Sequence, residues 1–267
     1  MVRVRQSHST DYNSGETLEW LCSLGLTEKK ISSLMHGAEY LKQHQLTDTE
    51  PAVRTGWEMV EILAELRMDS DSLLAALLFP LLEAQLLSQE QLEPAFSANV
   101  LTMLRAVQQM EAIRTIPTGP NQSVNPQQAD NLRRMLLAMV EDVRAVVIKL
   151  AAQICYLREV KNADEETRVL AAKETNAIFA PLANRLGIGQ LKWELEDLAF
   201  RYLHPQLYKQ IAGLLEERRL DREQYMQDFV ASVRQKMAEA NLAVEVYGRP
   251  KHIFSIWKKN AEKAAGL

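Results

Sequence analysis

The stretch LLAALLFPLLEAQLL, Leu73 to Leu87, contains the most apolar run of the sequence and indicates the fold class. Asp71 and Glu83 bound its apolar part, which is shorter than the about 20 apolar residues that a bilayer-spanning helix needs. We therefore predict a buried core helix. Pro80 lies inside the run and lacks a backbone N–H, so we expect this helix to bend or restart there.

The segments on either side repeat apolar residues at spacings of three and four, which is typical of amphipathic helices. The predicted helices cover residues 57–66, 98–113, 129–160 with breaks, the span between the N-cap Asp164 and Gly187, 190–202, 205–218 and 222–240. Between two of them, Thr115 to Gln128 holds three prolines and a glycine, and we predict a surface loop there. The fold class is therefore mainly α.

The period of the pattern changes only at Leu242. From there to Tyr247 apolar residues occupy alternate positions, which predicts a strand. Gly248 then predicts a turn, and a helix follows from about Lys251. The order strand, glycine turn, basic residues and helix places backbone N–H groups and cationic side chains at a helix N-terminus, an arrangement that favours phosphate.

The sequence at this point is YGRPKHIFSIWKK, Tyr247 to Lys259. Arg249 and Lys251 flank a proline, and Ser255 and Lys259 follow Lys251 at spacings of four, on one face of the predicted helix. The pattern suits a grip on a triphosphate, and it equally suits a solvated basic helix start with no ligand. The number and spacing of glycines exclude a Walker A loop.

Composition limits the remaining functions. The 267 residues could form one large domain or two ordinary ones, and a net charge of −4 gives no general reason to expect nucleic-acid binding. Cys22 and Cys155 are too far apart to form a CxxC pair, and the N-terminus has no apolar core of a signal peptide. Serines next to Asp69 favour a helix cap over a site, and Trp193 and Trp257 suit core packing better than base stacking.

Two blocks of the sequence resemble the RelA/SpoT family. The block GRPKHIFSIWKK is similar to the GRxKHxYSIxxK motif that opens the family's synthetase domain, with Phe254 as the visible departure. The block KETNAIFAPLANRLGIGQLKWELEDLAFRYLHP, Lys173 to Pro205, is similar to the segment that joins the hydrolase and synthetase domains. The resemblance covers nearly the whole chain after the first thirty residues. It implies transfer of a pyrophosphoryl group from ATP to the 3′-hydroxyl of GDP or GTP, which makes ppGpp and pppGpp.

By this resemblance, Arg249, Lys251, Ser255 and Lys259 hold ATP, with Arg249 against the base, the others towards the phosphates, and Mg²⁺ across the phosphates. The implied division is a hydrolase-like domain over 1–160, connecting helices over 161–204 and the first part of a synthetase domain over 205–267. The family's Mg²⁺-binding Asp, acidic base and guanine-stacking Tyr have no counterpart in this sequence. We therefore expect an N-terminal portion of an enzyme, without a complete catalytic site and inactive by itself.

The resemblance also identifies the positions of a hydrolase site. Bifunctional members hold Mn²⁺ with a His, a His-Asp pair and a later Asp, and this sequence has Thr55, Phe79, Pro80 and Ala152 at the matching positions. None of these side chains is an ordinary metal ligand. We therefore predict that the chain binds no Mn²⁺ and hydrolyses no alarmone, as in the synthetase-only branch of the family.

The family's partners follow from the same resemblance. They are ATP, GTP or GDP, and a ribosome with uncharged tRNA bound through regions that this sequence does not contain. The expected setting is the stringent response in the cytoplasm, with no membrane contact. An alternative interpretation remains, in which the chain is a non-catalytic regulatory or interaction module derived from the same family.

Overall fold

The computed structural model describes residues 17–47, 50–112, 125–138, 142–217, 219–246, 248 and 251–264. Within these ranges the chain forms α-helices, short 3₁₀ and π turns, and no strand, so the predicted mainly α class is confirmed. The helices are α1 (Thr17–Ser23), α2 (Glu28–Gln43), α3 (Pro51–Glu65), α4 (Ser70–Glu83), α5 (Gln89–Leu92), α6 (Ala98–Ala112), α7 (Pro126–Ala138), α8 (Val143–Glu159), α9 (Glu165–Glu174), α10 (Ala180–Arg185), α11 (Gly189–Leu203), α12 (Pro205–Glu217), α13 (Arg219–Glu239) and α14 (Ile253–Ala264).

Helix α4 is the centre of the first layer, and α2, α3, α6 and α8 pack around it. Asp69 caps its first turn, because the Asp69 carboxylate accepts a hydrogen bond from Ser72 N at 2.8 Å, as the flanking serines indicated. The helix continues through the buried Pro80 to Glu83, so it does not restart at the proline. Burial on all sides stabilises the helix and offsets the missing backbone hydrogen bond. No helix in the described part of the chain has the length and apolar character of a membrane span.

The crossing of α3 over α4 requires a glycine. A Cβ atom at Gly56 would lie 2.4 Å from the carbonyl oxygen of Leu77, so the two backbones touch at this point. Beside it, Trp57 is 1% exposed and meets the ring of Trp20 edge-on, with centroids 5.6 Å apart. The close approach lets the large side chains on both sides of Gly56 enter one core.

Helix α8 joins this layer to a second one, formed by α9, α10 and α11. A π-helical turn, Thr175–Phe179, connects α9 to α10. At its start the Thr175 hydroxyl accepts a hydrogen bond from Gln153 Nε2 at 3.0 Å and donates to Ala171 O at 2.7 Å. Because both side chains are buried, these bonds satisfy polar groups that would otherwise destabilise the interface of α8 with the second layer.

The predicted boundaries of the second layer are confirmed. The Asp164 carboxylate accepts from Thr167 N at 2.8 Å, which caps α9, and Gly187 follows α10 with a φ of 72°. Helix α11 ends at Leu203 and α12 begins at Pro205, so the break lies at His204 as the His-Pro pair predicted.

The predicted strand is wrong for the part of 242–247 that the structure describes. Residues 242–246 form neither helix nor strand. Instead they follow α13, with Leu242 N donating to Met237 O at 2.9 Å and Val246 O accepting from Arg234 Nη2 at 2.8 Å. A strand exists only when its backbone pairs with another strand, and the described residues offer none to this segment. Most of the predicted loop 115–128 lies outside the described residues, and α7 begins within it at Pro126.

The Gly56→Ala variant tests the crossing of α3 and α4. The added methyl group must displace the backbone of α4, so we expect the free energy of unfolding to fall by about 1–3 kcal/mol. Urea denaturation followed by circular dichroism measures this change. Gly213→Ala is the matched control, because Gly213 is exposed in α12 with open space around it, and alanine there should add about 0.5–1 kcal/mol. Equal stability of the Gly56→Ala variant and the wild type would contradict the close contact.

Candidate functional site

The positions that the resemblance assigned to a metal lie together. Thr55 on α3, Phe79 and Pro80 on α4, and Ala152 on α8 all line one cavity of about 70 Å³. These positions are up to about a hundred residues apart in sequence, and the packing of α3, α4 and α8 brings them together. The prediction that they form a single site therefore agrees with the fold.

The chemistry of this cavity differs from that of a metal centre. The Thr55 hydroxyl donates to Pro51 O at 3.0 Å within its own helix, and Phe79 is 1% exposed and fills space with an apolar ring. Pro80 and Ala152 offer only carbon atoms from their side chains. Among the residues that the structure describes, no group of three or more His, Cys, Asp or Glu side chains is arranged to hold a metal ion.

The same cavity contains a buried lysine. Lys149 is 4% exposed, and its Nζ lies 5.9 Å from the centroid of the Phe79 ring, within reach of a cation–π interaction. Burial lowers the pKa of Lys149, and the charges of Glu83 and Glu174 partly oppose this by favouring the ammonium form. The cavity that resembles a metal site is thus lined by a lysine as well as by Glu83 and Glu159.

The second candidate site is a cleft between α11 and α14. Lys251, Ser255 and Lys259 all line it, so the structure brings together three of the four residues that were predicted to hold ATP. The fourth, Arg249, lies outside the described residues. Ser255 and Lys259 are one turn apart on α14, while Lys251 lies just before the helix, so the expected single basic face is present.

Helix α11 contributes to this cleft two residues that the sequence reasoning missed. Lys192 and Glu196 line it together with Lys258, and the Lys192 ammonium lies 3.8 Å from the Glu196 carboxylate. Burial raises the pKa of Glu196, and Lys192 and Lys258 counteract that increase. The lining contains four lysines and one carboxylate, so the cleft is positive and suits a polyanion.

One backbone donor at the N-terminus of α14 is already used within the protein. The Asp197 carboxylate accepts from Phe254 N at 2.8 Å, which occupies one of the backbone donors that were expected to meet phosphate. A negative side chain at a helix N-terminus is stabilising for the same reasons that phosphate would be. The protein's own carboxylate therefore occupies this donor, and the side chains of the cleft, among them four lysines and Ser255, are further groups that suit phosphate.

The glycine before the basic residues also has a different role from the one expected. A Cβ atom at Gly248 would lie 2.4 Å from Met226 Sδ and 2.9 Å from Val230 Cγ2. Side chains of α13 pack directly against Gly248, so a larger residue there would displace Met226 and Val230. Its contribution is to seat the segment before α14 against α13.

The tryptophans near the cleft pack against protein groups, as predicted. Trp257 lies against Phe200, with ring centroids 4.9 Å apart, and is stacked on His204 at 5.5 Å. Trp193 is stacked on His252 at 5.4 Å. Nothing in the local sequence pattern indicates the last pair, because its members are far apart in the chain and meet only when α14 docks on α11.

Comparison with known proteins places these features in a family. The family model of the HD domain matches residues 34–189. GTP pyrophosphokinase of Escherichia coli strain K12 is 52% identical over 266 residues, which are 98% of this chain and 36% of that protein. GTP pyrophosphokinase of Myxococcus xanthus is 38% identical over 210 residues, 79% of this chain and 27% of that protein.

One relative with a lower sequence identity is named as a hydrolase. The probable guanosine-3′,5′-bis(diphosphate) 3′-pyrophosphohydrolase of Synechocystis is 34% identical over 218 residues, 81% of this chain and 28% of that protein. The chain thus spans about a third of the length of the relatives it matches. These relatives confirm the resemblance that the two sequence blocks indicated.

Restoring the four metal-ligand positions tests whether the cavity is a former metal site. We expect the melting temperature of the wild-type chain to stay unchanged in Mn²⁺. The variant Thr55→His, Phe79→His, Pro80→Asp, Ala152→Asp should gain about 2.7 kcal/mol of stability when Mn²⁺ is at a hundredfold excess over its Kd. Thermal unfolding with and without Mn²⁺ measures both, after circular dichroism has shown that the variant is helical.

A variant with one restored ligand is the control for that experiment. Ala152→Asp alone adds a carboxylate to the cavity but cannot complete a coordination shell, so Mn²⁺ should leave its melting temperature unchanged. A rise in the melting temperature of the wild type with micromolar Mn²⁺ would show that the prediction of no metal is wrong.

The buried Lys149 predicts a dependence of stability on alkaline pH. Its folded-state pKa lies below the unfolded value of 10.5, so its destabilising effect is complete below the folded pKa and is relieved as pH rises between the two values. The free energy of unfolding of the wild type, minus that of Lys149→Met, should therefore increase with pH in this window. Denaturant titrations at several pH values measure the difference. Lys236→Met is the control, because Lys236 is exposed. If the difference in the free energy of unfolding between the wild type and Lys149→Met stays constant up to pH 10.5, the prediction is wrong.

Proposed function

The chain belongs to the HD domain family, and from this and its relatives we propose that it is the part of a GTP pyrophosphokinase that binds ATP. The proposed reaction transfers a pyrophosphoryl group from ATP to the 3′-hydroxyl of GTP or GDP and makes pppGpp or ppGpp in the stringent response. The basic cleft between α11 and α14 carries the proposal. It is the place where residues of the synthetase-like motif meet a surface that suits a polyphosphate.

Each motif residue has a proposed task in the cleft. Lys251 and Lys259 neutralise phosphate charge, and the Ser255 hydroxyl donates a hydrogen bond to a phosphate oxygen. Arg249, which lies outside the described residues, contacts the adenine base. Transfer of a phosphoryl or pyrophosphoryl group depends mainly on such positioning and charge neutralisation, so these residues contribute by holding ATP in one orientation.

Mg²⁺ would enter this site mainly on the phosphates of ATP. The ion neutralises phosphate charge and usually keeps several water ligands, so it does not require a cage of protein groups. In the described part of the cleft Glu196 is the carboxylate nearest to the lysines, and no cluster of three acidic or histidine ligands is present there. The residues present fit the binding of an ATP–Mg²⁺ complex and do not fit a separate protein-held ion.

We propose further that this chain does not hydrolyse alarmones and holds no Mn²⁺. The support is the convergence of Thr55, Phe79, Pro80 and Ala152 on a cavity whose lining includes the cationic Lys149. A cytoplasmic setting and a ribosome with uncharged tRNA as the activating partner are proposals that rest on the family resemblance. The alternative of a regulatory or interaction module remains, since the helices around the cavity stay well packed without metal ligands.

An exchange of segments tests the proposed activity. In the hybrid enzyme, this chain replaces the matching 266 residues of the Escherichia coli relative. With ATP, GTP and Mg²⁺, we expect the hybrid to form AMP and pppGpp, and we expect the chain alone to form neither. In the hybrid, Lys251→Ala and Lys259→Ala should each lower kcat/KM for ATP by about ten- to hundredfold, as loss of a charge-assisted hydrogen bond does. Separation of the labelled nucleotides measures the products.

Lys209→Ala is the matched control for these lysine variants. Lys209 is exposed on α12 and does not line the cleft, so its loss should leave kcat/KM unchanged. A folded hybrid that makes no pppGpp would favour the regulatory module. An active hybrid in which both cleft variants match the control would place ATP elsewhere.

A further inference from the structure

A buried carboxylate on α11 holds the start of α14. Asp197 is 2% exposed and belongs to the last part of α11, more than fifty residues before the motif helix. Its Oδ1 accepts from Phe254 N at 2.8 Å, and its Oδ2 lies 3.2 Å from His252 Nδ1. A buried carboxylate without partners is strongly destabilising, whereas Asp197 has a partner for each oxygen.

The first of these bonds is a helix cap supplied from another element. Phe254 is the second residue of α14, and its N–H has no partner within the helix. In most helices a side chain from the preceding turn satisfies such a donor. Here Asp197 satisfies it, so the first turn of α14 is fixed to α11 as well as being capped.

The second bond fixes the histidine that precedes the helix. An ionised carboxylate only accepts hydrogen bonds, so His252 Nδ1 carries the hydrogen that is shared with Asp197. A face of the imidazole is stacked on Trp193, with ring centroids 5.4 Å apart and planes 28° apart. His252 is thus clamped between two residues of α11 that lie one turn apart.

The two residues that Asp197 holds, His252 and Phe254, lie between two of the residues that are proposed to bind ATP. Lys251 immediately precedes His252, and Ser255 immediately follows Phe254. Any rotation or fraying of this turn would therefore move Lys251 and Ser255 relative to each other. It would also move them relative to Lys192, which lines the same cleft from α11.

We propose that Asp197 is a positioning residue for ATP binding: it fixes His252 and the first turn of α14 so that Lys251 and Ser255 share one cleft. The proposal rests on the proposed function of that cleft. Asp197 itself does not line the cleft, so it acts through the residues that it holds.

The hybrid enzyme tests this role through its two substrates. Asp197→Ala removes the cap and the partner of His252, and we expect KM for ATP to rise about tenfold, the factor expected for loss of one cap-sized interaction. KM for GTP should stay unchanged, because the clamp orders only the ATP cleft. A general loss of structure would instead affect both substrates. Equal KM values for ATP in the variant and wild-type hybrids, or equal rises for both substrates, would overturn the proposal.

Conservative variants separate the two bonds. Asp197→Asn keeps an oxygen for Phe254 N–H and should retain a KM for ATP within about twofold of wild type, less than one lost hydrogen bond would change it. His252→Asn keeps an N–H donor near the position of Nδ1 and should rescue most of the loss seen in His252→Ala. Asp228→Ala on α13 is the control for removal of an exposed carboxylate, and it should leave both KM values unchanged. Failure of both conservative variants to rescue would overturn the proposed contacts.

Amide hydrogen exchange in the chain alone makes the test independent of catalysis. Asp197→Ala should speed exchange of the amides of residues 254–257 by about tenfold, with the amides of α3 and α4 unchanged. If the wild-type hybrid makes no product, the proposed function fails while this measurement still judges the clamp. If the exchange rates of Asp197→Ala match those of the wild type, the clamp itself fails whatever the activity of the hybrid.

Discussion

The part-buried ion pairs of Arg158 connect the helices that carry the two candidate sites. From α8 it forms ion pairs with Glu58 on α3 and Glu194 on α11, residues that lie on either side of it in the chain. Burying one of these charges alone would be strongly unfavourable, and removal of one partner from a buried pair typically costs roughly 3–5 kcal/mol. The three charges are therefore stable only together, which holds α11 against the helices that line the metal-like cavity. Since α11 also carries Lys192 and Asp197, the same ion pairs fix the platform on which α14 docks.

The cavity lined by Thr55, Phe79, Pro80 and Ala152 is closed by packing between α3, α4 and α8. Burial of a side chain the size of Phe79 contributes about 1.5–3 kcal/mol to this packing. Lys149 lies in the same lining, and the charges of Glu83 and Glu174 favour its ammonium form. Aromatic packing and a lysine with acidic neighbours therefore occupy the region between these helices.

Local patterns in the sequence predicted what depends on local physics. Asp164 and Gly187 mark helix ends because capping and a positive φ are properties of a few adjacent residues. The alternation after Leu242 has the period of a strand, but a strand also needs a partner, and alternation carries no information about one. The convergence of the four metal positions was predictable only from the family resemblance, because their spacing along the chain follows no local rule.

The basic cleft was partly predictable for the same reason. Lys251, Ser255 and Lys259 lie at helical spacing within one short motif, so a single periodicity places them on one face. Asp197 and Lys192 belong to a different block, and only the docking of α14 on α11 brings Lys192 to that face and Asp197 to the start of α14. The motif alone could not indicate that a carboxylate from elsewhere in the chain accepts a hydrogen bond from Phe254 N at this helix N-terminus.

Asp197 accepts a hydrogen bond from Phe254 N, a backbone donor that a phosphate could otherwise use, and this affects how the cleft can bind an anion. Backbone donors at a helix N-terminus are rigid and bind phosphate without ordering any side chain. With Phe254 N–H occupied by Asp197, the proposed ATP site has one backbone donor fewer and relies more on lysine ammonium groups, whose long side chains lose conformational freedom on binding. Because these charges are exposed, salt screens them, and affinity in the cleft should depend on how closely the lysines are held before ATP arrives. The motif helix therefore cannot be a self-sufficient phosphate site, since its geometry is set by a buried carboxylate on the neighbouring helix.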